Sequence, residues 1–369
     1  MVRVVAKLEP GGAQLSLLRV SRALRSRGIE TRLLCGSADT PGLAIARDHG
    51  LTPEVYGEPG LQWRADPGFA EWLRPRLAGA ELVHGHIFGG WWAASRAIEP
   101  GVPLVGSEHN PFTWPGEPQT RQLQEGLERV DRFFAHGPNA RAGVLAGGLP
   151  ADRLLSGTSP VLGLDAHPRP WLPTPRLMYT GRMHEEKGPD VLLEALALMR
   201  KPPVLFMLGS GCAELALRRR AAREDLRGRV HFCGWRRDPA PWIAGASALV
   251  VPSRNEGWSQ TAVLGMGLGV PVIGTAIDGL AQTLADGRGI AVAAADPEAL
   301  AAAISAVLSG ARRTDLAGAR RWARRFELHK VVGAYEAVYR ELTAPHLLDF
   351  AADPPMPTPS ESPIIRSKA

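Results

Sequence analysis

Cysteine is almost absent from this chain: Cys35, Cys212 and Cys233 are the only three in 369 residues, and no two have Cys-x-x-Cys spacing. That excludes a disulfide framework or a cysteine zinc site, and the thiols read as small buried residues of a reducing compartment. Long apolar runs are missing too. None approaches the roughly 18 to 20 residues that cross a bilayer. The apolar stretch in the first seven residues is too short for a secretory signal core, so we expect a cytoplasmic protein. Lysine is scarce: Lys7, Lys187, Lys201, Lys330 and Lys368 are the only lysines among 43 basic residues, the rest being arginine. That scarcity looks like a coding preference for arginine and argues for caution in reading the net charge of +6 as the mark of a nucleic-acid or membrane partner. The arginine clusters, Arg218–Arg220 with Arg223 and Arg320–Arg321 with Arg324–Arg325, fall on predicted helices interrupted by Ala and Glu and read as solvated faces. We expect no nucleic-acid partner, and peripheral membrane contact is the minority reading.

What is present is a globular composition, 45% hydrophobic and 22% charged, at a length that favours two domains. Short β-rich apolar runs alternate with helical patterns throughout, the signature of βαβ units and parallel sheets buried on both faces. The spacing predicts strands at 2–6, 31–35, 81–84, 102–106 and 132–135, then at 176–180, 204–208, 230–233, 248–251 and 270–274. A four-proline stretch at 163–175 interrupts them and reads as the linker. The predicted fold class is α/β, with two Rossmann-like, doubly wound domains facing each other across a cleft. Their expected bounds are 1–162 and 176–328. Val331, Val332, Tyr335, Val338, Tyr339 and Leu342 recur at helical spacing, predicting a terminal helix over 329–343 that packs back toward the first domain. Residues 344–369, with the proline run 353–360, are too poor in apolar side chains to offset ordering entropy and are expected to be disordered. Doubly wound sheets bind ligands at the carboxyl ends of their strands, so chemistry is sought in the cleft.

Three segments point there. Gly11-Gly12 follows the first strand and opens a helix, where exposed amides can meet an anion. A plain tight turn explains it as well, and it is not the dinucleotide Gly-x-Gly-x-x-Gly. In Gly181-Arg182-Met183-His184-Glu185-Glu186-Lys187-Gly188-Pro189 a lysine survives where arginine is the rule. Arg182 and Lys187 together suit a diphosphate, a surface ion pair with Glu185 being the alternative. Third, a strand ends in Pro252-Ser253-Arg254-Asn255-Glu256-Gly257-Trp258-Ser259-Gln260-Thr261, offering a carboxylate to sugar hydroxyls and amides near 259–261 to a phosphate or sugar oxygen.

With Val83-His84-Gly85-His86, Ser107-Glu108-His109-Asn110, Gly209-Ser210-Gly211, residues 229–234 and Pro271-Val272, these segments resemble the signatures of retaining GT-B glycosyltransferases of family 4, in order and spacing, to about residue 342. The resemblance implies transfer of a sugar from a nucleoside diphosphate donor, a UDP-sugar by preference. Gly11 and Gly12, Arg182, Lys187, Gly257, Trp258, Ser259, Gln260 and Thr261 would bind the donor, and Glu256 would contact its sugar. His109 would lie at the reaction centre. His84 and His86 read equally well as buried, satisfied imidazoles. The family's second carboxylate, eight residues after the first, is here Leu264, which accepts no hydrogen bond. Gln260 or Thr261 would have to reach the ribose instead. No Asp-x-Asp occurs, so we expect no metal and no cofactor, the leaving charge falling to Arg182, Lys187 and helix N-termini.

For the acceptor, Glu9 and Glu108 follow strand ends in the first half, and Trp91, Trp92, Phe112 and Trp114 offer stacking surfaces. They suggest a small hydrophilic acceptor such as an aminocyclitol, as in aminoglycoside antibiotic assembly. A lipid-linked acceptor of cell-envelope glycan synthesis and a catalytically silent sugar-nucleotide-binding protein are the competing readings.

Overall fold

A computed structural model describes residues 1–109 and 117–343. Asn110, Phe112, Trp114 and the tail from 344 onward lie outside the described residues. Among the described residues thirteen strands form two sheets. The first holds β1 (Val2–Leu8), β2 (Arg32–Ala38), β3 (Glu54–Val55), β4 (Val83–His86), β5 (Leu104–Glu108), β6 (Arg132–Ala135) and β7 (Leu154–Ser156), in the order β3-β2-β1-β4-β5-β6-β7. The second holds β8 (Arg176–Thr180), β9 (Val204–Leu208), β10 (Val230–Phe232), β11 (Ala248–Val251), β12 (Val272–Thr275) and β13 (Ile290–Val292), ordered β10-β9-β8-β11-β12-β13. Every pairing is parallel. Helices cover both faces, so β4, β5 and β11 are buried along their whole length, β11 as a continuous apolar run and β4 and β5 with polar residues at their carboxyl ends. The strand order reverses beside β1 and β4 in one sheet and beside β8 and β11 in the other, and the carboxyl ends at these switch points face each other.

Strands β6, β8, β9 and β11 have the expected bounds, whereas β4, β5 and β12 start two residues later than predicted. The ladder runs on through polar residues, His86 pairing with Ser107 and Glu108 with Ala135, which an apolar-run criterion stops short of. Strands β3, β7 and β13, two or three residues long, are too short to leave a pattern.

The chain crosses between the sheets twice, and the crossings touch: the Val161 amide donates to the Phe326 carbonyl at 2.8 Å. Residues 163–175 run past Trp242, whose ring carries the Arg169 guanidinium 5.1 Å from its centroid. After Phe326 the Leu328–Thr343 helix returns to the first sheet. Arg27 meets Glu336 there at 2.6 Å, and Arg3 donates to the Tyr339 hydroxyl at 3.0 Å.

Candidate active site

The facing strand ends enclose a cavity of about 390 Å³, within the range of small-molecule sites. Its second-domain wall is charged. β8 ends at Thr180, and the Tyr179 hydroxyl donates to the Arg182 carbonyl at 2.7 Å, fixing the turn that aims Arg182 into the cleft. Lys187 ends a short 3-10 turn, and Gly188 follows at φ +62. A Cβ on Gly188 would fall on the Pro252 carbonyl oxygen, so only glycine lets this turn close against the 252–256 loop. Pro189 then starts a helix whose Asp190 receives a bidentate Arg254 at 2.8 and 2.6 Å. This closure brings the Lys187 Nζ to 3.0 Å from Glu256 Oε2 and 3.2 Å from the Asn255 carbonyl. Ser253 Oγ donates to the same carboxylate oxygen at 3.2 Å.

Arg182 is ion-paired to Glu186 on its own segment and to Glu9 of the first domain at 3.5 Å, and Glu9 also meets Lys7 at 2.6 Å. Both second-domain cations thus already face carboxylates, an arrangement that an incoming diphosphate can replace. Ser259 caps the Gln260–Gly267 helix, its side chain accepting from the Ala262 amide at 3.3 Å. Thr261 Oγ1 donates to the Thr180 carbonyl at 3.3 Å, and Trp258 packs edge-on to Phe326. Gln260 reaches across the cleft, its Nε2 donating to the Gly12 carbonyl at 2.6 Å. Leu264 is buried in the second core and lines no part of the cleft.

Glycines let the walls meet. A Cβ on Gly257 would lie 2.6 Å from the His109 carbonyl oxygen and 2.8 Å from that of His136, and a Cβ on Gly137 or Gly279 would fall on the Gly257 carbonyl. Beside them Asp278, at φ +34, accepts from the Asn139 amide of the first domain at 2.9 Å. Burial raises its carboxyl above the ordinary value, Asn139 partly opposing.

The first-domain wall is neutral by comparison. It consists of Gly11, Gly12, Gln62, Trp63, Ile87, His109, His136 and Ser159 beside the Lys7–Glu9 pair. Burial lowers the His109 pKa to about 4 and holds His136 well below its ordinary value. Among the described residues no group of three His, Cys, Asp or Glu is placed to hold a metal ion.

Of the residues the sequence points to, Gly11, Gly12, Arg182, Lys187, Glu256, Trp258, Ser259, Gln260, Thr261, His109 and Glu9 line this one cleft. Three acceptor residues do not. Trp91 and Trp92 are 0% and 6% exposed, on a helix whose faces are nearly all buried. Glu108, 1% exposed, accepts from Trp91 Nε1 at 3.4 Å and from the His109 amide at 3.0 Å. They hold the first core together and cannot touch an acceptor. His84 and His86 are also fully buried behind the cleft, in a network that fixes their tautomers. Arg3, which only donates, gives Nη1 to His86 Nε2 at 2.9 Å and Nη2 to the Tyr339 hydroxyl. That hydroxyl is left to donate to His84 Nδ1 at 2.6 Å, and His84 Nε2 to donate to Ser107 Oγ at 2.7 Å. The sequence reading missed His136, Ile87 and Ser159. Position directly after an expected strand was the available signal for His136; Ile87 follows β4 directly only because that strand runs on to His86.

Two Rossmann-like domains facing each other over a cleft walled by Arg182, Lys187 and Glu256 define a glycosyltransferase of the GT-B class. A model described as Glycosyltransferase Family 4 matches residues 10–155, and one described as Glycosyl transferases group 1 matches 174–310. The chain belongs to glycosyltransferase family 4. It is similar to a D-inositol 3-phosphate glycosyltransferase of Xylanimonas cellulosilytica, 28% identical over 79% of this chain and 82% of that protein. The lipopolysaccharide core biosynthesis glycosyltransferase LpsE of Rhizobium meliloti is 34% identical over 39% of this chain and 42% of its own length. In fold it is similar to Anabaena Alr3699/HepE, solved in complex with UDP-glucose, with TM-score 0.74 and 17% identity over 92% of this chain and 99% of that one. It is likewise similar to sucrose-phosphate synthase from Thermosynechococcus elongatus, with TM-score 0.75 and 22% identity over 93% and 99%.

Proposed function

We propose that this glycosyltransferase moves a sugar from a nucleoside diphosphate donor, a UDP-sugar by preference, to a hydroxyl of a small hydrophilic acceptor, with retention at the anomeric carbon and without a metal. The observation that carries this reading is the convergence of Arg182, Lys187 and Glu256 on one cleft. In it, the donor diphosphate takes over the cations now countered by Glu9, Glu186 and Glu256. Glu256, released from Lys187, accepts hydrogen bonds from the sugar hydroxyls, and His109 faces the sugar from the first domain. The bond from the anomeric carbon to the diphosphate oxygen breaks as the acceptor oxygen bonds the same face, and the acceptor proton passes to the leaving diphosphate. Arg182 and Lys187 stabilise the charge that develops there, each such hydrogen bond contributing about 1.5 to 3 kcal/mol. The Gln260–Gly12 contact ties the two domains across the cleft, and closure of the domains over the donor would exclude the water that otherwise hydrolyses it.

An amine-bearing acceptor such as an aminocyclitol in antibiotic assembly now rests on Glu9 alone, since Glu108 is buried. The similarity to LpsE over part of the chain favours the second reading, a lipid-linked acceptor in envelope glycan synthesis. Leu264, in place of a carboxylate, motivates a third, a silent binding module. A mass-spectrometric screen against nucleoside diphosphate sugars separates them. It is scored for donor hydrolysis, then for transfer to pooled polyol, aminocyclitol and lipid acceptors. Donor binding with no sugar release under any condition contradicts transfer, and co-sedimentation with anionic vesicles favours the lipid acceptor.

A further inference from the structure

Four imidazoles form a column through the first domain. His84 and His86 from β4 stack with ring centroids 3.9 Å apart, His109 after β5 lies 6.1 Å from His86, and His136 after β6 stacks on His109 at 3.8 Å with 27° between the planes. The inner pair is buried behind the cleft; the outer pair lines it. His136 is gripped on its other sides. A Cβ on Gly157 would fall on its ring, the Tyr335 hydroxyl stands 3.4 Å from Nε2, and its carbonyl abuts Gly257 of the opposite domain. It is 1% exposed, and its Nδ1 has no partner among the described residues. A ring fixed this firmly, whose free face is covered by His109, is an anvil for that second ring and not a filler of space.

We propose that His136 is the positioning residue for His109: its flat ring, backed by Gly157 and Tyr335, sets the plane in which His109 meets the reacting sugar. This rests on the reading of His109 given above and adds a residue to it. Burial keeps both rings in the neutral form, so stacking costs no charge repulsion, and the pair offers neutral nitrogens suited to hydroxyl groups. Geometry of this kind matters because a misplacement of about 1 Å can cost roughly 10²-fold in rate.

The test compares full-length wild type with His136→Ala, His136→Phe and Gly157→Ala. It uses donor turnover, UDP affinity by calorimetry and the imidazole resonances of His109 by NMR. The proposal expects His136→Ala to lower kcat by ~10²-fold while the Kd for UDP stays within about twofold, and His136→Phe, which restores a flat ring, to recover most of that loss. Gly157→Ala, which pushes on the ring without removing it, should lower kcat in the same way and covers the case that His136→Ala does not fold. His109 resonances should move in His136→Ala and Gly157→Ala and return toward wild type in His136→Phe. Unchanged kcat and resonances in His136→Ala, or a His136→Phe variant as impaired as His136→Ala, overturn it. If wild type binds UDP but never releases sugar, the transferase reading fails, and the His109 resonances still decide the positioning claim.

Discussion

The two walls of the cleft solve the same problem by different means. The second-domain wall is local: Arg182, Lys187 and Glu256 come from two loops that follow β8 and β11, and its cations are countered by carboxylates of the same loops, Lys187 by Glu256 at 3.0 Å and Arg182 by Glu186, with Glu9 reaching Arg182 from the other domain. The first-domain wall is assembled from afar. His109 and His136 sit after neighbouring strands, Tyr335 comes from a helix nearly 200 residues later, and among the described residues the Lys7–Glu9 pair supplies the charge of this surface. One wall therefore should respond to mutation as an electrostatic clamp and the other as a packed surface.

The largest effect should follow from breaking the clamp. Lys187→Met removes the ammonium and leaves Glu256 without its cation, and we expect kcat/KM for the donor to fall by ~10²-fold or more, read by steady-state turnover. Joining the walls matters next. Gly137→Ala drives a methyl from the first domain into the Gly257 carbonyl of the second and holds the domains apart, so kcat should drop roughly 10- to 100-fold while second-domain binding of UDP persists.

Acid should separate the walls as well. The buried imidazoles have folded pKa values lowered from 6.5, His109 to about 4, so between those values the unfolded chain binds more protons than the folded one. Stability must then be complete above about pH 6.5 and be lost as pH falls toward 4, seen as a falling Tm. His136→Phe should flatten that slope. At the small end, Trp91→Phe should lower Tm without changing acceptor KM, because Trp91 belongs to the core. Glu9→Gln, at a pair 3.5 Å long with Arg182 39% exposed, should change donor KM by only about twofold.

How much of this was legible from residues alone follows the same division. The clamp was readable because its parts lie in two contiguous runs, and because Lys187 stands out in an arginine-rich chain. The alternation of apolar runs likewise announced two parallel sheets. His136 was signalled only by its place directly after a strand; its stacking on His109 was not readable, since that depends on β5 and β6 lying side by side in the register that pairs Glu108 with Ala135, a fact no local pattern holds. Trp91 and Trp92 were misassigned to the acceptor although their helix, Phe88–Ala97, is apolar nearly all round, the mark of a buried helix. Glu108 misled for a related reason: a carboxylate after an apolar run looks exposed, yet the strand continued through it.

The central claim is that Arg182 and Lys187 hold a diphosphate. Calorimetric titration of the tightest-binding nucleoside diphosphate into wild type and into the Arg182→Met, Lys187→Met double variant tests it most directly. Affinity should fall by about 10²-fold or more in the double variant with the fold intact by circular dichroism. Equal affinity in the two proteins would contradict it.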